Sequence, residues 1–196
     1  MKIGLLYEGD FDEKPLQIII QRIIGEINPN IRNIEFILKP AHGSINKQVG
    51  IAFSLFYSVH NCDMAVFIAD SDGKRDKQKK IKTQVTKHCI KIKPDSRNIV
   101  GCPDPELEQW FLDEENAIKI IFSLEREDAL PYPEMSPKER FRRIITENNS
   151  DITTTLSDIY VKSAEIMDFK KLEMSSKSFE NFYGSFCKIS KVIKHM

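Results

Sequence analysis

Five acidic residues follow short apolar segments of the chain, in positions where they could share one site. They are Glu8, Asp70, Asp72, Glu106 and Glu108. The apolar segments resemble buried parallel strands, and the functional groups of an open parallel sheet lie beyond the carboxyl ends of its strands. Carboxylates that meet there repel one another unless a cation neutralises them. The five acids therefore predict a site for Mg²⁺ or Mn²⁺, which prefer oxygen ligands.

The segment Asp70-Ser71-Asp72-Gly73 contributes two of these acids. If extended backbone continues through it, the side chains of Asp70 and Asp72 point to the same side and share one metal ion. The alternative is structural, because an aspartate after a strand often caps the next helix and Asp72-Gly73 is typical of a turn. The residues alone leave both interpretations open.

Glu106 and Glu108 follow Asp104-Pro105, where Asp104 is predicted to cap a helix whose first residue is Pro105. Residues two apart on a helix point in directions that differ by roughly 200°, so we expect only one of the two glutamates to face the site. Their alternative role is also structural, because acids in a first helical turn interact favourably with the helix dipole.

A basic segment begins directly after Asp72. Between residues 74 and 97 the chain has ten Lys or Arg residues and only two acids. Such a segment beside a carboxylate cluster predicts binding of a polyanion, since phosphodiesters must approach a site that would otherwise repel them. The predicted nucleic-acid-binding residues are Lys74, Arg75, Lys77, Lys79, Lys80 and Lys82. The alternative is a solvated helix face, because no aromatic residue stands among the lysines to stack on bases.

Alternating strand and helix patterns must bring these side chains together. Apolar runs predict strands at residues 2–7, 33–39, 62–69 and 98–102. Apolar residues at helical spacing, or a charged helical pattern, predict intervening helices at residues 13–27, 46–60 and 74–88. This alternation is typical of βαβ units. The expected fold class is α/β, with a Rossmann-like parallel sheet of about four strands flanked by helices.

The remainder of the chain is predicted to be helical. Helices are expected at residues 106–112, 116–122 and 137–145, followed by two more in residues 158–196. We therefore expect residues 1–115 to form the α/β core and residues 116–196 to form a helical C-terminal extension packed on it. The single tryptophan, Trp110, is predicted to lie in the core.

Composition limits the classes of function. The chain has 196 residues, 41% of them hydrophobic, and equal numbers of acidic and basic side chains, so no net charge directs it to a polyanion. Its four cysteines are too dispersed for a zinc site or a disulfide framework. The apolar run at the N-terminus is too short for a signal peptide or a membrane span, which predicts a soluble, cytoplasmic protein without membrane contact. No phosphate-binding loop or dinucleotide fingerprint is present.

Several motifs in order resemble the Toprim superfamily. Glu8-Gly9-Asp10-Phe11-Asp12 matches the ExxxD first motif of Toprim domains, and Asp70-Ser71-Asp72-Gly73 resembles their DxD motif. The segment Pro105–Phe111 is similar to the PExExW segment of small Toprim-like proteins from prokaryotic defence loci, relatives of OLD-family and RloB-type nucleases. Tyr160-Val161-Lys162 resembles the C-terminal pattern of the same group.

The resemblance implies a Toprim-like fold and a Mg²⁺- or Mn²⁺-dependent nuclease of a phage-defence or toxin system. Glu8 would be the acid/base residue or a metal ligand. Lys162 would be a second catalytic residue, which approaches the site and stabilises charge on a phosphate; the alternative is an ordinary surface lysine. The metal ligands would be Glu8, Asp70, Asp72, Glu106 and Glu108. The alternative is a catalytically silent Toprim-like subunit that binds an ATPase partner or nucleic acid. The choice of DNA or RNA stays open, as does an oligomeric state.

Overall fold

The structure, a computed structural model, describes residues 1–9, 12–42, 44–74, 76–124, 129–148 and 154–193. Its centre is a sheet of four strands, all parallel, in the order β2-β1-β3-β4. The strands are β1 (Lys2–Tyr7), β2 (Glu35–Pro40), β3 (Met64–Ile68) and β4 (Arg97–Gly101). The predicted α/β class and the four parallel strands are therefore confirmed.

Helices connect the strands and continue beyond the last one. The described helices are α1 (Glu13–Ile27), α2 (Ile45–Phe53), α3 (Lys77–Ile92), α4 (Leu107–Asp113), α5 (Glu115–Phe122), α6 (Pro137–Asn148), α7 (Leu156–Ile166), α8 (Phe169–Ser175) and α9 (Lys177–Ile193). A π-helical segment, Ser54–Val59, continues α2. None of the helices in the described ranges combines the length and apolar character that crossing a bilayer requires.

Alternate residues of each strand point to opposite faces of the sheet, so both faces carry apolar side chains. Helices cover both faces and bury these side chains in two cores. Ile3 and Leu5 of β1 belong to a core shared with α1, α4, α7 and α9. Leu6 and Phe67 belong to a second core on the opposite face, with α2, the π-helical segment and α3. β1 and β3 are buried along almost their whole length, and strands buried on both faces read as nearly continuous apolar runs, which is why the sequence predicts these two so clearly.

The C-terminal region differs from the sequence expectation. Residues 158–196 were expected to form two helices, but the described part contains α7, α8 and α9. Asp168 is the reason for the extra helix. Its side chain accepts hydrogen bonds from the backbone N–H groups of Lys170 and Lys171, at 3.0 and 3.3 Å, and so begins α8 as an N-cap.

Candidate functional site

The predicted site lies where the strand order reverses. From β1 the chain proceeds to β2 on one side and later to β3 on the other, so a crevice is expected between β1 and β3 at their carboxyl ends. Glu8 directly follows β1, and Asp70 comes two residues after β3. The topology thus places two of the predicted acids at the edge of the sheet where α/β proteins bind their ligands.

Asp70 is the carboxylate whose chemistry the surroundings change most clearly. Burial, together with the negative charges of Asp12, Glu108 and Glu8, raises its pKa to about 8. A hydrogen bond from the backbone N–H of Leu107 to Oδ1, at 3.0 Å, works in the opposite direction. Asp70 thus supports the first turn of α4, which is a structural role, and stands among three other acids.

Asp12 belongs to this cluster, although the sequence interpretation did not assign it a role. It precedes α1, and its Oδ2 accepts a hydrogen bond of 2.8 Å from the N–H of Gly9. Burial is the main reason that the pKa of Asp12 is raised to about 6, and the charges of Glu108 and Glu8 act in the same direction. The signal was present in the chain, because Glu8 and Asp12 are the two acids of the quoted ExxxD motif.

Of the two glutamates after β4, Glu108 is the one near Asp70. It lies in the first turn of α4 with only 4% of its surface exposed, and it accepts a hydrogen bond from the hydroxyl of Tyr160. Its charge affects the pKa of both Asp70 and Asp12. Glu108 therefore brings a third segment of the chain to the cluster.

Glu106 has a different environment. Its backbone is extended at the position before α4, and its Oε1 accepts a hydrogen bond of 2.6 Å from the backbone N–H of Lys138 in the first turn of α6. The helix itself begins at Leu107, so the expectation that Asp104 caps it and Pro105 starts it is wrong. The carboxylate of Asp104 accepts a hydrogen bond from the hydroxyl of Ser71 instead.

The loop after β3 is tied to the loop after β4. The backbone N–H groups of Ser71 and Asp72 donate to the carbonyl oxygens of Pro103 and Pro105, at 2.8 and 2.9 Å. These two bonds extend the contact between neighbouring strands beyond the sheet. They hold the start of α4, and with it Glu108, beside Asp70.

Asp72 lies in a tight turn. Asp72 and Gly73 both have left-handed backbone, with φ of 50° and 68°, and the N–H of Lys74 donates to the carbonyl of Ser71 at 2.9 Å. Extended geometry therefore does not continue from Asp70 to Asp72, and the expectation that both side chains point to the same side for that reason is wrong. The Asp72 side chain is 53% exposed and faces lysines.

Lys77 connects Asp72 to Glu8. Its Nζ lies 3.0 Å from Glu8 Oε2 and 3.0 Å from Asp72 Oδ2, and its side chain is only 13% exposed. Desolvation acts to lower the pKa of Lys77, but its bonds to both carboxylates outweigh this and raise it. For Asp72, the bonds and charges of Lys77 and Lys74 outweigh desolvation and lower the pKa. Lys77 is thus a charged ammonium group at the edge of the acid cluster.

The other predicted nucleic-acid-binding residues lie nearer the solvent. Lys74, Lys79, Lys80 and Lys82 are exposed, and Arg75 lies outside the described residues. Lys74 pairs with Asp72 at 3.6 Å and Lys80 with Asp76 at 2.6 Å. Lys74, Lys77 and Lys80 line an open cleft together with Glu8 and the N-terminal turn of α2. The basic helix therefore shares one cleft with Glu8 and Asp72, whereas Asp70, Asp12 and Glu108 do not line it.

Lys162 does not join the acids through any contact that the structure shows. It is exposed on α7, and its charge acts on Asp158, one turn earlier on the same helix. Tyr160, two residues before it, is the residue of α7 that reaches the cluster. This contact is invisible in the sequence, where Tyr160 and Glu108 are separated by 52 positions.

The donor atoms of the cluster suit a hard cation, because they are carboxylate oxygens with no sulfur or imidazole among them. Within the ranges that the structure describes, however, no three His, Cys, Asp or Glu side chains are arranged to hold a metal ion together. Magnesium sites commonly use one or two carboxylates and retain several waters, so the donor set fits such an ion without a complete protein cage.

Comparison with known proteins assigns neither a family nor a function to this chain, since no family model, curated protein or solved structure matches it.

Proposed function

We propose that this chain is a Toprim-type nuclease that hydrolyses phosphodiester bonds in nucleic acid with the help of Mg²⁺ or Mn²⁺. One observation supports it above the others. Glu8, Asp70 and Glu108 come from three distant segments and lie close enough at one sheet edge for Glu8 and Glu108 to influence the ionisation of Asp70. Like charges gathered at such cost in repulsion call for a cation to neutralise them.

In this proposal Asp70 and Glu108 hold the metal ion with waters, and Asp12 is a further ligand that the ExxxD motif supplies. A bound divalent ion would offset charge on the phosphate and lower the pKa of a water molecule. As water adds to phosphorus and the P–O bond to the leaving oxygen breaks, Glu8 would accept the proton of the attacking water as a general base, and the leaving oxygen would take a proton from solvent. The proposal gives no catalytic role to three residues for which the sequence predicts one. Asp72 pairs with Lys77, Glu106 accepts a hydrogen bond from Lys138, and Lys162 is exposed.

In this proposal Lys77 pairs with carboxylates in the free protein and with a phosphate group when substrate is bound. Without substrate it neutralises Glu8 and Asp72. When a phosphodiester enters the cleft, the ammonium group of Lys77, which lies 3.0 Å from Glu8 Oε2, would donate to a phosphate oxygen instead. The exposed lysines of α3 would bind the neighbouring phosphates as point charges, without reading the base sequence.

The test is cleavage of supercoiled plasmid, single-stranded DNA and structured RNA, with Mg²⁺ or Mn²⁺ compared with EDTA. We expect metal-dependent cleavage by the wild type and a loss of about a hundredfold or more in Asp70→Asn and Glu8→Gln. Lys77→Met should raise KM, because it removes a phosphate-binding charge. Lys170→Met on α8 and Asp113→Asn at the end of α4 are the controls and should cleave normally.

The outcomes separate the two functional classes. Cleavage that survives both acid substitutions would come from a contaminant or another site and would contradict the proposal. If no substrate is cleaved and calorimetry detects no binding of Mn²⁺, the acids are structural. Metal binding without cleavage, lost in Asp70→Asn, would instead support the silent subunit that works with a partner.

A further inference from the structure

The contact between Tyr160 and Glu108 is the most deeply buried polar contact at the acid cluster among the described residues. Tyr160 is 1% exposed and Glu108 is 4% exposed, and the tyrosine hydroxyl donates to Glu108 Oε1. A hydrogen bond from a hydroxyl to a buried carboxylate is charge-assisted and directional. Oε1 of Glu108 therefore accepts a hydrogen bond from Tyr160, and this bond orients the carboxylate group.

The ring of Tyr160 has little freedom to move. It packs edge-on against Phe111 and Phe141, with centroids 5.5 and 5.0 Å away. Phe111 belongs to α4, the helix that carries Glu108, and Phe141 belongs to α6. The hydroxyl is thus fixed in position by aromatic contacts with two helices.

The helix that carries Tyr160 is itself secured at both ends. A capping box formed by Thr155 and Asp158 begins α7. At its other end, Arg22 of α1 donates from two guanidinium nitrogens to the carbonyls of Ala164 and Met167, at 2.6 and 2.8 Å. These bonds from α1 fix the position of α7, and α7 in turn fixes the position of the Tyr160 hydroxyl.

We propose that Tyr160 is a positioning residue, which holds the Glu108 carboxylate in the orientation that binds the divalent cation. The inference rests on the proposed function, because it assigns a role at the same site. Groups that hydrogen-bond a metal-ligating carboxylate orient it, and removing them lowers metal affinity or activity about 10- to 100-fold. The C-terminal helices thereby contribute to the site without supplying a ligand.

The experiment compares two Tyr→Phe variants that each remove one hydroxyl from a carboxylate. Tyr160→Phe removes the contact with Glu108. Tyr183→Phe is the matched control, because Tyr183 of α9 donates at 3.1 Å to Glu26 of α1, an acid that is not part of the cluster. Calorimetry measures the Kd for Mn²⁺, and thermal unfolding in EDTA checks the fold. We expect Tyr160→Phe to raise the Kd about tenfold or more, and Tyr183→Phe to leave it unchanged.

A purely structural Tyr160 would give a different result, namely a lower melting temperature with an unchanged Kd. Glu108→Asp provides a second variant should Tyr160→Phe fail to fold. It keeps the charge but shortens the side chain, so the carboxylate no longer reaches both Tyr160 and the cluster, and we expect its Kd to rise as well. An unchanged Kd in either folded variant overturns the inference. If the wild type and Tyr183→Phe bind no Mn²⁺, the proposed function fails first, and the positioning role with it.

Discussion

The acid cluster holds carboxyl groups that resist ionisation. Burial and the charges of Asp12, Glu108 and Glu8 raise the pKa of Asp70 to about 8. Asp70 is therefore largely protonated at pH 7 in the absence of a cation. In the unfolded chain it would ionise near pH 4, so folding takes up a proton over the range between these values.

The first prediction concerns the pH dependence of stability in EDTA. A raised carboxyl pKa makes the folded state bind more protons than the unfolded state, so the contribution of Asp70 to the free energy of unfolding falls as pH rises from about 4 to about 8. Asp70→Asn removes this ionisation and keeps an acceptor for the N–H of Leu107. We expect the variant to be more stable than the wild type by about 2 to 4 kcal/mol at pH 8, and the difference to vanish near pH 4.

Urea unfolding at several pH values measures this difference. If the proposed metal ion binds at Asp70, addition of Mn²⁺ should then raise the stability of the wild type and of the control Asp113→Asn, but not that of Asp70→Asn. A difference in stability between the wild type and Asp70→Asn that stays constant from pH 4 to pH 8 would show that Asp70 is ionised in the folded protein and would contradict the prediction.

At the scale of elements, β1 and the π-helical segment approach each other unusually closely. A Cβ on Gly4 would lie 2.2 Å from Cγ of Phe56, far inside van der Waals contact. Phe56 is fully buried in the core on this face of the sheet, so its ring cannot move aside into solvent. The absence of a side chain at position 4 is therefore what allows the helix layer to pack on β1, the strand that Glu8 follows.

The second prediction is that Gly4→Ala destabilises the protein. Overpacking of a dense core costs about 1 to 3 kcal/mol, and a clash with a rigid aromatic ring belongs to the upper part of that range. Gly184→Ala in α9 is the matched control, because its added Cβ meets no atom within 4 Å. Replacing a glycine inside a helix should stabilise the protein by about 0.5 to 1 kcal/mol. Thermal unfolding of both variants provides the measurement, and a neutral Gly4→Ala would contradict the packing argument.

At the scale of the whole molecule, the C-terminal helices complete the core that begins with β1. Ile3 and Leu5 of β1 share one hydrophobic cluster with Phe179 and Phe182 of α9. Trp110 of α4 stacks on Phe182 with a centroid distance of 5.3 Å and donates its indole N–H to Ser178. Its predicted place in the core is confirmed, since it is fully buried. One face of the sheet thus depends on residues from the end of the chain.

The third prediction follows from this shared core. A truncated chain of residues 1–115 would expose the face of the sheet that α7 and α9 cover, together with Trp110. We expect the fragment to lack cooperative unfolding and to bind a hydrophobic dye, whereas the full chain unfolds in one transition. Circular dichroism and dye fluorescence distinguish the two. A fragment that melts cooperatively would show that residues 1–115 are an independent folding unit.

The sequence by itself determined the strands, most helices and the edge at which Glu8 and Asp70 lie. These features follow from local patterns, because strands buried on both faces are continuously apolar and helix faces repeat every 3.6 residues. The charge of the basic segment after Asp72 was likewise readable from composition alone. These local patterns do not indicate which residues from distant segments come into contact.

Only the tertiary structure decided how the predicted acids differ. In the folded chain Asp72 pairs with Lys77, Glu106 accepts a hydrogen bond from the first turn of α6, and Glu108 is buried against Tyr160. It also adds Asp12 to the acids around Asp70. The physical reason is that burial, charge and hydrogen bonding depend on neighbours from distant segments, which the fold brings together, whereas sequence periodicity reports only which face of its own element a residue occupies.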